Sequence, residues 1–222
     1  SGDLNWIRQY ENNFTSQIKP YKKKLFVLDS NNELICFSSI DGTIKWRVNT
    51  EKNFILTDKL NSIVLDKNTL TFINSMGTVT NININDGELL WSIPTQDTLT
   101  PNITNFLVNS DLVKLSNNLY FSNNFSQIFS INYQTGLINW QQNIKSTLRP
   151  IIINDFLFSL SDDGYLYVVD VLSGSIVRSN YLLERFKPKL RKKIKFTGFL
   201  IASGKIIMTT NIGLLIIFKI IT

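Results

Sequence analysis

Five short phrases of one pattern recur along the chain: SGDLNW (1–6), DGTIKW (41–46), DGELLW (86–91), TGLINW (135–140) and SGSIVR (173–178). Each runs from a small or acidic residue through a glycine and three further residues to a tryptophan, with Arg178 in the fifth slot. The glycines are Gly2, Gly42, Gly87, Gly136 and Gly174, at intervals of about 40 to 50 residues. All four tryptophans of the protein, Trp6, Trp46, Trp91 and Trp140, stand in that slot. Random placement would not put every tryptophan four residues after a glycine, so the chain reads as a repeat protein.

Short runs of alternating apolar residues precede each phrase. They include KLFVLD (24–29) and ELICFS (33–38), TLTFIN (69–74) and TVTNIN (78–83), LYFSN (119–123) and QIFSIN (127–132), and FLFSL (156–160) and YLYVVD (165–170). After the last phrase come TGFLIA (197–202), KIIMTT (205–210) and LLIIFKI (214–220). Asn, Asp, Ser and Gly separate the runs, the pattern of strands joined by tight hairpins. No long helical pattern competes with it. Four strands per unit cannot bury both sheet faces alone, whereas radial stacking buries them. The expected fold is an all-β propeller, a single domain over residues 1–222. Its four-stranded blades would lie at 18–48, 62–93, 112–142 and 149–180, with an outer strand at 1–6 and three inner strands at 197–220. These about five repeat units suit either a closed five-bladed ring or an arc of a larger propeller. The glycine serves a turn with positive φ. The tryptophan wedges between blades, where its burial contributes about 3 kcal/mol.

Composition removes several chemistries. The chain has no histidine, which excludes Ser-His-Asp and Cys-His catalysis and histidine metal sites. Cys36, the one cysteine, lies in an alternating strand and reads as a buried, inert thiol. Glu51, Asp58 and Asp66 are scattered, and Asp162–Asp163 before Gly164 reads as a hairpin turn rather than a metal site. No catalytic, cofactor or metal residue is assigned. No apolar run approaches the ~20 residues of a membrane-spanning helix. The first residue is Ser1 rather than Met, as in a chain processed, trimmed or cut from something longer.

The net charge of +6 equals the charge of the six cations of KPKLRKKIK (187–195): Lys187, Lys189, Arg191, Lys192, Lys193 and Lys195. The segment lies between the last two units. It is either a solvated basic loop or a docking element for an acidic partner or an anionic membrane surface. No aromatic interleaving accompanies it, so nucleic acid is not expected. The overall excess of Lys, with abundant Asn and Ile, also fits AT-rich coding bias. Sequons at Asn13, Asn102 and Asn124 arise readily in so Asn-rich a chain. The stretches 53–60 and 98–105 lengthen two blade junctions, where propellers carry recognition.

The Asp-Gly turns, the Gly-x-x-x-Trp endings and SDDGYLYVVDVLSG (161–174) resemble the quinoprotein-like (PQQ-like) propeller repeat. The stretch DDGYLYVVDVLSGSIVRS, the basic linker and FTGFLIASGKIIMTTNIGLLIIFKIIT are similar to the last blades of the BamB family of outer-membrane assembly factors. That resemblance implies an eight-bladed, lipid-anchored periplasmic propeller and a non-enzymatic scaffold in outer-membrane β-barrel assembly. The implied partners are the assembly machinery and unfolded outer-membrane proteins. The rival readings are a fragment of a quinoprotein dehydrogenase and a generic interaction propeller. A quinone site in that wider family usually needs a vicinal disulfide, which one cysteine cannot form. No cofactor is therefore expected.

Overall fold

The computed structural model describes residues 2–51, 59–96 and 106–219. Its regular structure is almost entirely antiparallel sheet. The first sheet holds β1 (Lys19–Tyr21), β2 (Lys24–Leu28), β3 (Leu34–Ser38) and β4 (Ile44–Val48); the second holds β5 (Ile63–Asp66), β6 (Thr69–Ile73), β7 (Thr78–Asn83) and β8 (Leu89–Pro94). The third contains β9 (Val113–Leu115), β10 (Asn118–Asn123), β11 (Gln127–Asn132) and β12 (Ile138–Gln142). The fourth contains β13 (Ile151–Ile153), β14 (Phe156–Leu160), β15 (Tyr165–Asp170) and β16 (Ile176–Tyr181). A short helix, α1 (Pro188–Arg191), leads to the three-stranded fifth sheet of β17 (Phe196–Ala202), β18 (Lys205–Thr210) and β19 (Leu215–Lys219). Every sheet is a meander in chain order, the blade unit expected from the hairpin signals. The chain divides into two compact units, residues 1–112 with the first two sheets and 113–222 with the other three.

Cores form between consecutive sheets rather than within them. In the first unit Phe26, Leu28, Leu34 and Cys36 of the first sheet interlock with Ile63, Leu70, Phe72 and Ile82 of the second. In the second unit Tyr120, Ile128 and Trp140 meet Leu157 and Val169. Leu160, Leu166 and Leu182 then meet Ile206 and Met208. The other face of the first sheet, with Val27, Ile35 and Phe37, is closed by the segment carrying Tyr10 and Phe14, whose rings lie 4.6 and 6.1 Å from Phe37. Burial also decides the chemistry of Cys36. Its thiol is fully buried and is pushed up to about 11. We expect no labelling by a thiol-specific disulfide reagent at pH 8 in the native protein and full labelling in denaturant; labelling at native rates would place the side chain at the surface.

Two features differ from the sequence reading. Residues 2–10 contain no strand, although 1–6 carries the outer-strand phrase, because a strand requires a hydrogen-bonded neighbour and none among the described residues pairs there. A polar residue also recurs at the end of each second strand and closes the next hairpin. Asp29 Oδ1 accepts from the N–H of Asn31 and Glu33, Asn74 Oδ1 from Met76 and Thr78, and Asn123 Oδ1 from Phe125 and Gln127. Ser161 and Thr210 hydroxyls accept the equivalent N–H of Tyr165 and Leu214. The lengthened junctions fall partly at 52–58 and 97–105, outside the described residues, as do Asp58 and Asn102.

Candidate functional site: the blade joints, an inner cleft and the basic connection

The repeated glycine and tryptophan meet across neighbouring blades. Trp46 on β4 lies against Gly87, in the turn between β7 and β8, and its indole N–H donates to Asn85 O at 3.1 Å. Trp140 on β12 lies against Gly174, between β15 and β16, and donates to Val171 O at 2.9 Å. Trp6, without a strand of its own, takes the same place on Gly42 and donates to Ser39 O at 3.1 Å. Gly42, Gly87, Gly136 and Gly174 all have positive φ, as the turn reading requires. At Gly174 a Cβ would stand 2.5 Å from the Trp140 ring, so the glycine is also an indole seat. Gly2 has nothing against it. Trp91 stands half-buried on β8, opposite Asn81 of β7.

Local backbone geometry aims these rings. Each outer strand carries a one-residue irregularity just before its tryptophan or arginine: the register steps from Cys36–Trp46 to Phe37–Ile44, and equivalently before Trp91, Trp140 and Arg178. Such a bulge bends the strand and strengthens its twist. The turn acid is set by the same geometry. Hydrogen bonds from the Ser38 side chain and from the Thr43 N–H and hydroxyl hold the exposed Asp41 carboxyl down at about 2. Bonds from Ser173 lower Asp170 likewise. Arg178 is exposed, and among the described residues the fifth sheet has no strand after β19 and hence no glycine turn to seat an indole.

Two surfaces remain. The innermost strands of the second unit border a cleft of about 480 Å³, lined by Val113, Leu115, Arg149, Ile151, Ile152 and Phe199. The basic connection is partly folded. Pro188 opens α1, its fixed φ suited to a first helical turn, and Ile194 is buried behind it. Arg191 is not a free docking cation. Its guanidinium donates to Phe186 O at 2.6 Å and to Glu184 O, and it lies 6.0 Å from the Tyr181 ring. Lys187, Lys189, Lys192, Lys193 and Lys195 are exposed. Sequence reading grouped all six because charge alone does not separate a guanidinium that ties a loop from an ammonium that faces water. Asp162 and Asp163 do lie in the β14–β15 turn, where Asp162 Oδ1 accepts from the Thr147 N–H at 3.2 Å. Among the described residues no three His, Cys, Asp or Glu side chains gather as a metal site, and no helix is long and apolar enough to cross a membrane.

Comparison with solved structures gives the same architecture. BamB from Moraxella catarrhalis superposes with a TM-score of 0.81 at 15% identity, covering 98% of this chain and 64% of that one. The chain thus spans less than two thirds of that protein's length. Two computationally designed proteins are more distant. Ika4 has a TM-score of 0.52 at 15% identity, covering 74% of this chain and 93% of that one. Ika8 has a TM-score of 0.51 at 12% identity, covering 99% and 75%. No curated protein matches the sequence. The family model described as outer membrane protein assembly factor BamB matches residues 1–180, which hold all five repeated phrases and, but for the last residue of β16, the first four sheets. With its meander blades and its glycine-seated tryptophans, the chain belongs to the BamB family of β-propellers.

Proposed function

We propose that this chain is a non-enzymatic scaffold of outer-membrane β-barrel assembly, acting in the periplasm at the outer membrane. The match of residues 1–180 to the BamB family carries the reading. The partners are the assembly machinery and unfolded outer-membrane proteins. The repeated residues fit a scaffold, since the glycines and the tryptophans with described partners are used up in holding blades together and leave their loops to vary.

The docking element is the basic connection, through Lys187, Lys189, Lys192, Lys193 and Lys195. None of these five exposed ammonium groups has a carboxylate partner among the described residues. Replacing the five lysines by serine is expected to leave the melting temperature unchanged. It should weaken binding to the barrel-assembly partner and to anionic vesicles at low salt. The gap should close as the screening length falls from about 10 Å at 0.1 M to about 3 Å at 1 M. Arg191→Ser should instead cost about 1–2 kcal/mol of stability, the loss of charge-assisted bonds to two carbonyls. Equal affinity of wild type and the five-lysine variant at both salt concentrations would remove the docking role.

A further inference from the structure

We infer that the loops at one end of the fourth and fifth sheets form a single cationic face that lies on the anionic headgroups of a phospholipid bilayer. This rests on the docking role given to the basic connection, extends it to loops outside that run and names what the face meets. Charge is unevenly divided along the chain. Residues 1–112 hold ten Lys and Arg against twelve Asp and Glu, whereas 113–222 hold thirteen against five. Within the second unit the excess is gathered again. The segments 143–150, 161–164 and 182–195 carry nine cations and three carboxylates, and the rest of the unit four and two.

Hydrogen bonds join those segments into one surface. Asp162 N–H donates to Lys145 O at 3.0 Å, and Leu182 N–H donates to Gly164 O at 2.9 Å. The far end of the basic connection is tied to the β18–β19 turn, where Asn211 N–H donates to Lys195 O at 2.9 Å. Lys145 and Arg185 thereby join the five lysines of the basic run, and all seven side chains are exposed. Two of the three carboxylates are engaged within the loops. Asp162 Oδ1 accepts from the N–H and the hydroxyl of Thr147, and Asp163 Oδ1 accepts from the Ser161 hydroxyl.

The make-up of the face selects its occupant. Protein interfaces draw their energy from buried aromatic and arginine anchors and are poor in lysine. Here lysine predominates, and none of the large exposed hydrophobic side chains falls in these three segments. Arg191, the guanidinium of the basic run, is already spent on two carbonyls. Ammonium groups on flexible stems need no fixed register, and a headgroup layer offers phosphates in every register.

The probe is vesicles of phosphatidylcholine and phosphatidylglycerol in equal parts, cosedimented with the full chain. Binding is expected at low salt, with none to phosphatidylcholine alone and little at 1 M salt, where the screening length is about 3 Å. At about fivefold in partition per cation near the surface, Lys145→Gln with Arg185→Gln should weaken binding about 25-fold, although neither residue lies in the basic run. Lys205→Gln with Lys219→Gln removes the same charge from the opposite end of the fifth sheet, where the two are cross-strand partners, and should leave binding unchanged. All four side chains are exposed, and unchanged melting temperatures would show the fold intact. Equal losses in the two pairs would make net charge, not this face, responsible and would overturn the proposal. So would wild-type affinity in the first pair, or tighter binding to soluble polyglutamate or a DNA duplex than to the vesicles. Capture of the barrel-assembly partner is measured without vesicles. Lost capture beside intact vesicle binding sinks the scaffold reading alone, and the converse sinks the bilayer face alone.

Discussion

Trp140→Ala is expected to lower the unfolding free energy by about 3–5 kcal/mol, read from the midpoint of urea denaturation. The ring is 9% exposed and sits in the joint between the third and fourth sheets, with the Tyr120 ring centroid at 6.0 Å. Truncation leaves a cavity that rigid sheets do not close, and it strands the Val171 carbonyl that accepts the indole N–H. Trp46→Ala should cost less, because that indole is only half-buried at an otherwise equivalent seat. An unchanged midpoint in Trp140→Ala would mean that the tryptophans do not wedge the blades.

Gly174→Ala is expected to destabilise by several kcal/mol although it adds a single methyl group. Two causes combine. The residue has φ +74°, where an L side chain costs about 1–2 kcal/mol, and its Cβ would stand 2.5 Å from the Trp140 ring. A double-mutant cycle separates them. In a Trp140→Ala background the clash is gone, so Gly174→Ala should cost only about the 1–2 kcal/mol of backbone strain. Strict additivity of the two changes would show that glycine and tryptophan are not one contact.

The architecture was legible because it is written in periodicity. Alternating runs, turn residues and the Gly-x-x-x-Trp spacing each point to meander blades, and they agree with one another. What escaped was whatever depends on a neighbour. The phrase puts Gly42 and Trp46 side by side in sequence, yet Trp46 belongs to Gly87 and Gly42 to Trp6. The strand β1 contains Pro20 and spans three residues, too little pattern to read, and proline is admitted there because the strand is an edge. Asp29, Asn74, Asn123, Ser161 and Thr210 do one job with four residue types, so no identity marks the position. The segment at 2–6 has the outer-strand phrase but no adjacent strand among the described residues. Arg191 looked like its neighbours in a basic run, and only the folded loop turns its guanidinium onto two carbonyls.

Because the described indole seats lie between blades rather than inside them, the heritable module of this architecture is not the sheet. A duplication or deletion of one repeat length, cut at equivalent points within the tryptophan-bearing repeats, brings a tryptophan onto a glycine from the adjoining copy. Such an event replaces one sound joint by another, and the loops on either side need not match. A cut that removes a tryptophan and leaves its glycine breaks a joint even when every remaining sheet is whole. Lineages built this way can change their number of blades by recombination far more safely than they can change either residue of the pair.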